Sequence, residues 1–153
     1  MSDEPTRDKD TIVVSLENVA GHDLLVVDDK NGANDRKREA GITQRIRWKL
    51  DNSLKGGAFV SLDACKPGFE WLSWPPPKQG IFFDVKIDAS GDLTIDDLNA
   101  TASSVGTWIY RLRVRTANGL VYETSVGVDL VPPADGAAEQ KILIGNNPII
   151  INR

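Results

Sequence analysis

Between residues 106 and 130 the chain alternates apolar and polar positions with a period of two, the spacing at which a strand sends successive side chains to opposite faces. Trp108, Tyr110, Leu112 and Val114 share one face, and Ile109, Arg111, Arg113 and Arg115 share the other. On the return strand Tyr122, Thr124, Val126, Val128 and Leu130 carry the inward set. Directly opposed residues of an antiparallel pair lie on one face, so the turn fixes the register. A two-residue Asn118-Gly119 loop would set Val114 against Glu123, a charge against a core position. A three-residue loop of Ala117, Asn118 and Gly119 sets Val114 against Tyr122 and Arg113 against Glu123. The pattern therefore predicts the longer loop, with Gly119 at the left-handed position of a bulged hairpin.

The same count marks further strands. Ile12, Val14 and Leu16 alternate as a first strand, and Leu24 to Val27 form a continuous apolar run that suits a covered second one. From 43 to 50, Ile46, Trp48 and Leu50 face inward while Arg45, Arg47 and Lys49 face out. Ala58, Val60 and Leu62 share a face of a strand at 57–63, and Ile81, Phe83, Val85 and Ile87 alternate against Phe82, Asp84, Lys86 and Asp88. Setting Ile87 opposite Leu93 requires a second three-residue loop with Gly91 at the bulge. The polar stretch 28–41 predicts a turn at Asn31-Gly32 and a short helical turn from Asn34 or Asp35 to Gly41. Pro75, Pro76 and Pro77 impose an extended run along a sheet edge or between sheets.

These elements describe an all-β domain. Its charged first ten residues form a disordered tail, 11–131 hold the sandwich, and 132–140 connect it to two apolar runs within 141–153. Those terminal runs either complete the domain's own sheet or pair with a partner, since bare apolar strands invite edge-to-edge association.

The segment Gly106-Thr107-Trp108-Ile109-Tyr110-Arg111-Leu112 resembles the penultimate strand of immunoglobulin-like and fibronectin-like sandwiches, in which a small residue precedes an aromatic that opens an alternating strand. Trp108 stands where those families often carry a corner tyrosine, and Tyr110 where true immunoglobulin domains have their second cysteine. The chain has one cysteine, so no inter-sheet disulfide forms. The resemblance implies an immunoglobulin-like antiparallel β-sandwich of about seven to nine strands, with Trp48 as the buried tryptophan of a central strand. It carries over no functional residue.

Composition narrows the picture. A chain of 153 residues with 41% hydrophobic positions supports one core. Net charge is −4 and the isoelectric point is near 5.0, which argues against a dedicated nucleic-acid binder. Residues 29–49 nevertheless carry seven basic side chains against three acidic ones. No apolar run approaches the ~20 residues of a membrane span, and the charged start lacks a secretory signal's apolar region, so the expectation is a cytoplasmic protein. Lone Cys65 agrees with a reducing compartment and reads as a small buried hydrophobe.

Three groups of residues are candidates for binding. Arg45, Arg47 and Lys49 together with Arg111, Arg113 and Arg115 would stud one sheet face if their strands were neighbours, a patch suited to an anionic ligand. The alternative is that their long stems cover the sheet and pair with acids such as Glu123 and Asp129. Trp71 and Trp74, beside the prolines, would stack on sugar rings if exposed, or cap one end of the core if buried. The run Arg36-Lys37-Arg38 reads either as a contact for an anionic partner or as a solvated loop.

Catalytic chemistry finds no motif. Single His22 excludes His-rich zinc sites and the two-histidine copper site, and Met1 is the only methionine. Asp88, Ser90 and Asp92 begin like a calcium loop, but Leu93 and Asn99 stand where that loop needs glycine and glutamate. No cofactor is expected. The sequence points to a non-enzymatic interaction or assembly module whose partner is another protein or a second copy engaged through the C-terminal strands. The alternatives are a carbohydrate-binding module using Trp71 and Trp74, and a hydrolase with dispersed carboxylates.

Overall fold

A computed structural model of the chain describes residues 11–28, 32–37, 42–73, 75–124 and 148–153. The expected tail, the connection at 132–140, the apolar run at 141–144, Arg38 and Trp74 lie outside them. The described strands are β1 (Thr11–Val19), β2 (His22–Asp28), β3 (Asp35–Arg36), β4 (Gln44–Leu50), β5 (Ala58–Phe59), β6 (Phe69–Trp71), β7 (Phe82–Ile87), β8 (Leu93–Asp97), β9 (Gly106–Arg115), β10 (Val121–Glu123) and β11 (Ile149–Asn152). They form a five-stranded sheet in the order β2-β1-β4-β8-β7 and a six-stranded sheet in which β9 pairs with β10, β11, β5 and β6, and β11 pairs with β3.

Two packed sheets give a sandwich-like all-β architecture, with more strands than the expected seven to nine. The surplus comes from two-residue elements that serve single backbone needs. Asp35–Arg36 is such an element: β3 replaces the expected helical turn because the outer edge of β11 needs acceptors there. The Ile151 N–H donates to Asn34 O at 2.7 Å and the Arg153 N–H to Arg36 O at 2.9 Å. Pairing is also mixed rather than purely antiparallel, since β1 runs parallel to β4 and β11 parallel to β3.

Strand β9 organises the six-stranded sheet because both its edges are occupied. Its even-numbered residues bond on one side: the Tyr110 N–H donates to Pro148 O at 3.0 Å, and the Thr124 N–H donates to Leu112 O at 3.1 Å. Its odd-numbered residues bond on the other: the Arg113 N–H donates to Gly68 O at 3.0 Å, and the Leu72 N–H donates to Ile109 O at 2.7 Å. Strands β10 and β11 thus share one edge of β9, with β5 and β6 on the opposite edge.

Both hairpins form in the register that face-matching requires. Val114 opposes Tyr122 and Arg113 opposes Glu123, the Thr116 N–H donates to Leu120 O, and Gly119 sits at φ 90°. Ile87 opposes Leu93, the Asp88 N–H donates to Asp92 O, and Gly91 sits at φ 88°. In each turn the glycine takes the left-handed conformation that a Cβ would penalise.

Between the sheets lies one apolar cluster that includes Ile12, Val14, Ile46, Trp48, Leu93, Ile95, Tyr110, Leu112, Val114 and Ile150, all nearly or fully buried. Trp48 from the five-stranded sheet meets Tyr110 from the six-stranded one edge-on, with ring centroids 5.2 Å apart. The Trp48 Nε1–H donates to Tyr110 Oη at 2.8 Å, which satisfies an indole that has left water.

Two strands depart from the expected parity. In β5 it is Phe59 that is buried, not Ala58, because Phe59 opposes inward-facing Val114 and Ala58 opposes outward-facing Arg115. In β7 the pairing shifts between Phe83 and Lys86, so Asp84 and Val85 stand opposite the single residue Ile95. Asp84 adopts a left-handed φ of 55° there. This β-bulge changes the face of the strand residues before it, Phe82 and Phe83. Phe82 packs on the core, while Phe83 and Val85, expected inside, are exposed.

Candidate functional site

The outer face of the six-stranded sheet carries the arginines of β9. Register sets Arg111 opposite Glu70 on β6 and Arg113 opposite Glu123 on β10. The two guanidiniums and two carboxylates close a four-membered network: Arg111 lies 3.3 Å from Glu70 and 3.4 Å from Glu123, and Arg113 lies 2.7 Å from Glu70 and 3.2 Å from Glu123. Arg113 also donates through Nη1 to Pro67 O at 3.0 Å and is almost fully buried beneath its partners. Charge is balanced within this network, so it presents no net cation to a ligand.

Arg115, one pleat further along, is different. It is exposed, its guanidinium donates weakly to Gly119 O at 3.4 Å, and among the described residues it has no carboxylate partner. Together with Lys66, also exposed and without a carboxylate partner among the described residues, it borders a depression of about 530 Å3 whose walls include Val60, Val121, Arg113 and Glu123. Cys65 lies at the same depression and is exposed. It is therefore not the small buried hydrophobe expected, because β5 ends at Phe59 and the chain turns outward before β6.

The other basic trio lies elsewhere. Arg45, Arg47 and Lys49 project from β4 in the five-stranded sheet, and β4 and β9 are not neighbours. Since Trp48 and Tyr110 face each other across the core, the two trios point away from one another on opposite outer faces. The expected six-residue patch on one face does not form. Arg45 binds Asp96 through two bonds of 2.8 and 3.2 Å. Arg47 binds Asp88 at 2.5 Å and Asp92 at 3.1 Å, and Lys49 lies 3.7 Å from Asp92.

Asp88 also accepts from the Ser90 and Asp92 N–H groups, which makes it a turn anchor rather than a calcium ligand. The hydrogen bond from Arg47, with help from those backbone donors, holds its carboxyl below the usual range, and the Asp96 and Asp88 carboxylates raise the guanidinium pKa values of Arg45 and Arg47. The stems of these residues lie over β8, whose outward Thr94 and Asp96 are buried in consequence.

Trp71 is half-buried and sits in an aromatic group, edge-on to Phe69 at 5.0 Å and tilted against Phe82 at 4.7 Å. It closes the gap between β6 and β7 as a core cap. Arg36 is buried and donates to Ala33 O and Arg45 O, a structural role rather than a surface contact. The second terminal apolar run is β11 in this chain's own sheet, with Ile150 fully buried.

The feature that sequence reading passed over is polar and internal. Beyond Ile95 and Ile150 the space between the sheets is filled by Asp97, Asn99, Ser104 and Asn152, each at most 3% exposed. Asn152 Nδ2 donates to Asp97 Oδ1 and to Ser104 O, both at 3.0 Å. Ser104 Oγ donates to Asn99 Oδ1 at 2.6 Å, and Asn99 Nδ2 donates to Arg36 O at 2.8 Å. The signal was present: counting by twos from Leu93 and Ile95 brings Asp97 inward, and from Ile150 brings Asn152 inward. Among the described residues no group of three or more His, Cys, Asp or Glu side chains is placed to hold a metal ion, and no helix is long and apolar enough to cross a membrane. No protein-family model, curated protein or solved structure matches this chain.

Proposed function

We propose that this domain is a non-enzymatic protein-binding module that engages an acidic, partly apolar segment of its partner on the outer face of the six-stranded sheet. One observation carries the reading. Of the six basic residues on the two strands, Arg115 alone lacks a carboxylate partner among the described residues, and with Lys66 it borders a depression walled by Val60 and Val121. Two uncompensated cations beside aliphatic surface suit a ligand that brings both a carboxylate and an apolar side chain. Exposed Leu120 and Val121 extend the apolar part of that surface. The half-burial of Trp71 among other rings gives the carbohydrate-binding alternative no support.

The test is selection of displayed seven-residue peptides on the full chain and on Arg115→Glu. Enrichment of sequences that combine Asp or Glu with Leu, Ile or Val on the native protein, lost on the variant, is expected. Equal enrichment on both, or none on either, overturns the assignment.

A further inference from the structure

At the polar end of the sandwich two buried oxygens lack a donor among the described residues. Asp97 Oδ2 and Asn152 Oδ1 have no hydrogen-bond partner there, although their sister atoms bond to each other, Asn152 Nδ2 to Asp97 Oδ1 at 3.0 Å. A buried acceptor without a donor is costly, and here two occur on one bonded pair of side chains. A single proton placed on Asp97 Oδ2 removes both deficits, because a carboxylic acid and a primary amide make a reciprocal pair of hydrogen bonds. We propose that Asp97 and Asn152 form a proton-operated latch between the two sheets: protonated, Asp97 donates to Asn152 Oδ1 and holds β11 against β8; ionised, it leaves two acceptors facing without a donor and weakens the hold on the C-terminal strand.

The surroundings favour the neutral acid. Register sets uncharged Gln44 and Phe82 on either side of Asp97, and Asn99 and Ser104 are neutral. Asp96, next in sequence, points to the outer face and is bound to Arg45. Arg153 is bound to Asp35 at 2.7 Å. Among the described residues the charge that acts on Asp97 is that of Arg36 on β3. Burial outweighs both the Asn152 hydrogen bond and Arg36, and raises the carboxyl from 3.8 to about 6.

The sign follows from linkage. Between pH 3.8 and 6 the folded protein keeps a proton that the unfolded chain has released, so rising pH favours unfolding until the folded acid has ionised. From pH 5 to 7.5 the unfolding constant should rise about ten-fold on this account. The experiment is urea unfolding of the full chain across that range, for the native protein, Asp97→Asn and His22→Gln, with the Asp97 carboxyl carbon followed by NMR.

Native protein and His22→Gln should show the rise, and the Asp97 signal should titrate near pH 6. Asp97→Asn should fold and lose the rise, because its amide donates to Asn152 at every pH. An unfolding constant that is flat for the native protein, a rise that persists in Asp97→Asn or vanishes in His22→Gln, or failure of Asp97→Asn to fold each overturns the proposal.

Discussion

Trp48 and Tyr110 show how much one contact can fix. Each comes from a different sheet, each is fully buried, and the indole N–H has the tyrosine hydroxyl as its acceptor. Tyr110→Phe keeps the ring and its packing but leaves that N–H buried without an acceptor, which costs ~1–3 kcal/mol. Urea unfolding monitored by tryptophan fluorescence should show that loss, and an unchanged midpoint would mean that another acceptor replaces the hydroxyl. Trp48 was legible as a core residue from parity alone. Its partner was not, because opposed sheets leave no spacing in the sequence. The same limit applies to Arg113, which parity placed on a solvent face: Glu70 and Glu123 cover it from both neighbouring strands. Only Glu123 lies on the adjoining hairpin strand, so only that half of its ion pairing could be read from local pairing.

At the scale of elements, what was legible is what a turn and a period can fix together. The hairpins closing at Gly91 and Gly119 combine a face-matching demand with a glycine at the one position that needs left-handed backbone. Gly119→Ala should therefore destabilise the domain by ~1–2 kcal/mol, the cost of a Cβ in that conformation; a loss well under that range in a thermal or urea melt would show that the turn relaxes. Strand β7 escaped because a bulge inserts one residue without any local mark beyond Asp84, a residue type that tolerates positive φ. One extra residue moves Phe82 inward and Phe83 outward. The two-residue strand β3 escaped for a different reason, and β5 is shorter than the strand expected at 57–63 and of opposite parity: each exists because a longer strand beside it has backbone groups to satisfy.

The whole molecule adds a relation between distant pieces of chain. Strands β10 and β11 lie on the same edge of β9, where Thr124 bonds to Leu112 and Pro148 to Tyr110. Two strand residues separate these anchors, about 7 Å at the usual rise. Replacing 125–147 by a linker of three residues such as Gly-Asn-Gly should therefore leave a folded, cooperatively melting domain. Loss of dispersed amide signals in its NMR spectrum would show that the replaced residues supply part of the fold. By contrast, a chain ending before residue 148 loses β11 with buried Ile150 and Asn152, and should not fold.

By itself the sequence determined an all-β chain, its longer strands, both bulged hairpins and most of the inward-facing set, because these depend on side-chain period and turn chemistry within a few residues. The tertiary structure alone decided which strands are neighbours. That choice separates the two basic trios onto opposite faces, leaves Arg115 and Lys66 beside a depression, and brings Asp97 against Asn152. The physical reason is that charge balance and desolvation depend on what lies across a sheet or between sheets. Residues more than fifty positions apart become first neighbours there, and no local pattern records the meeting.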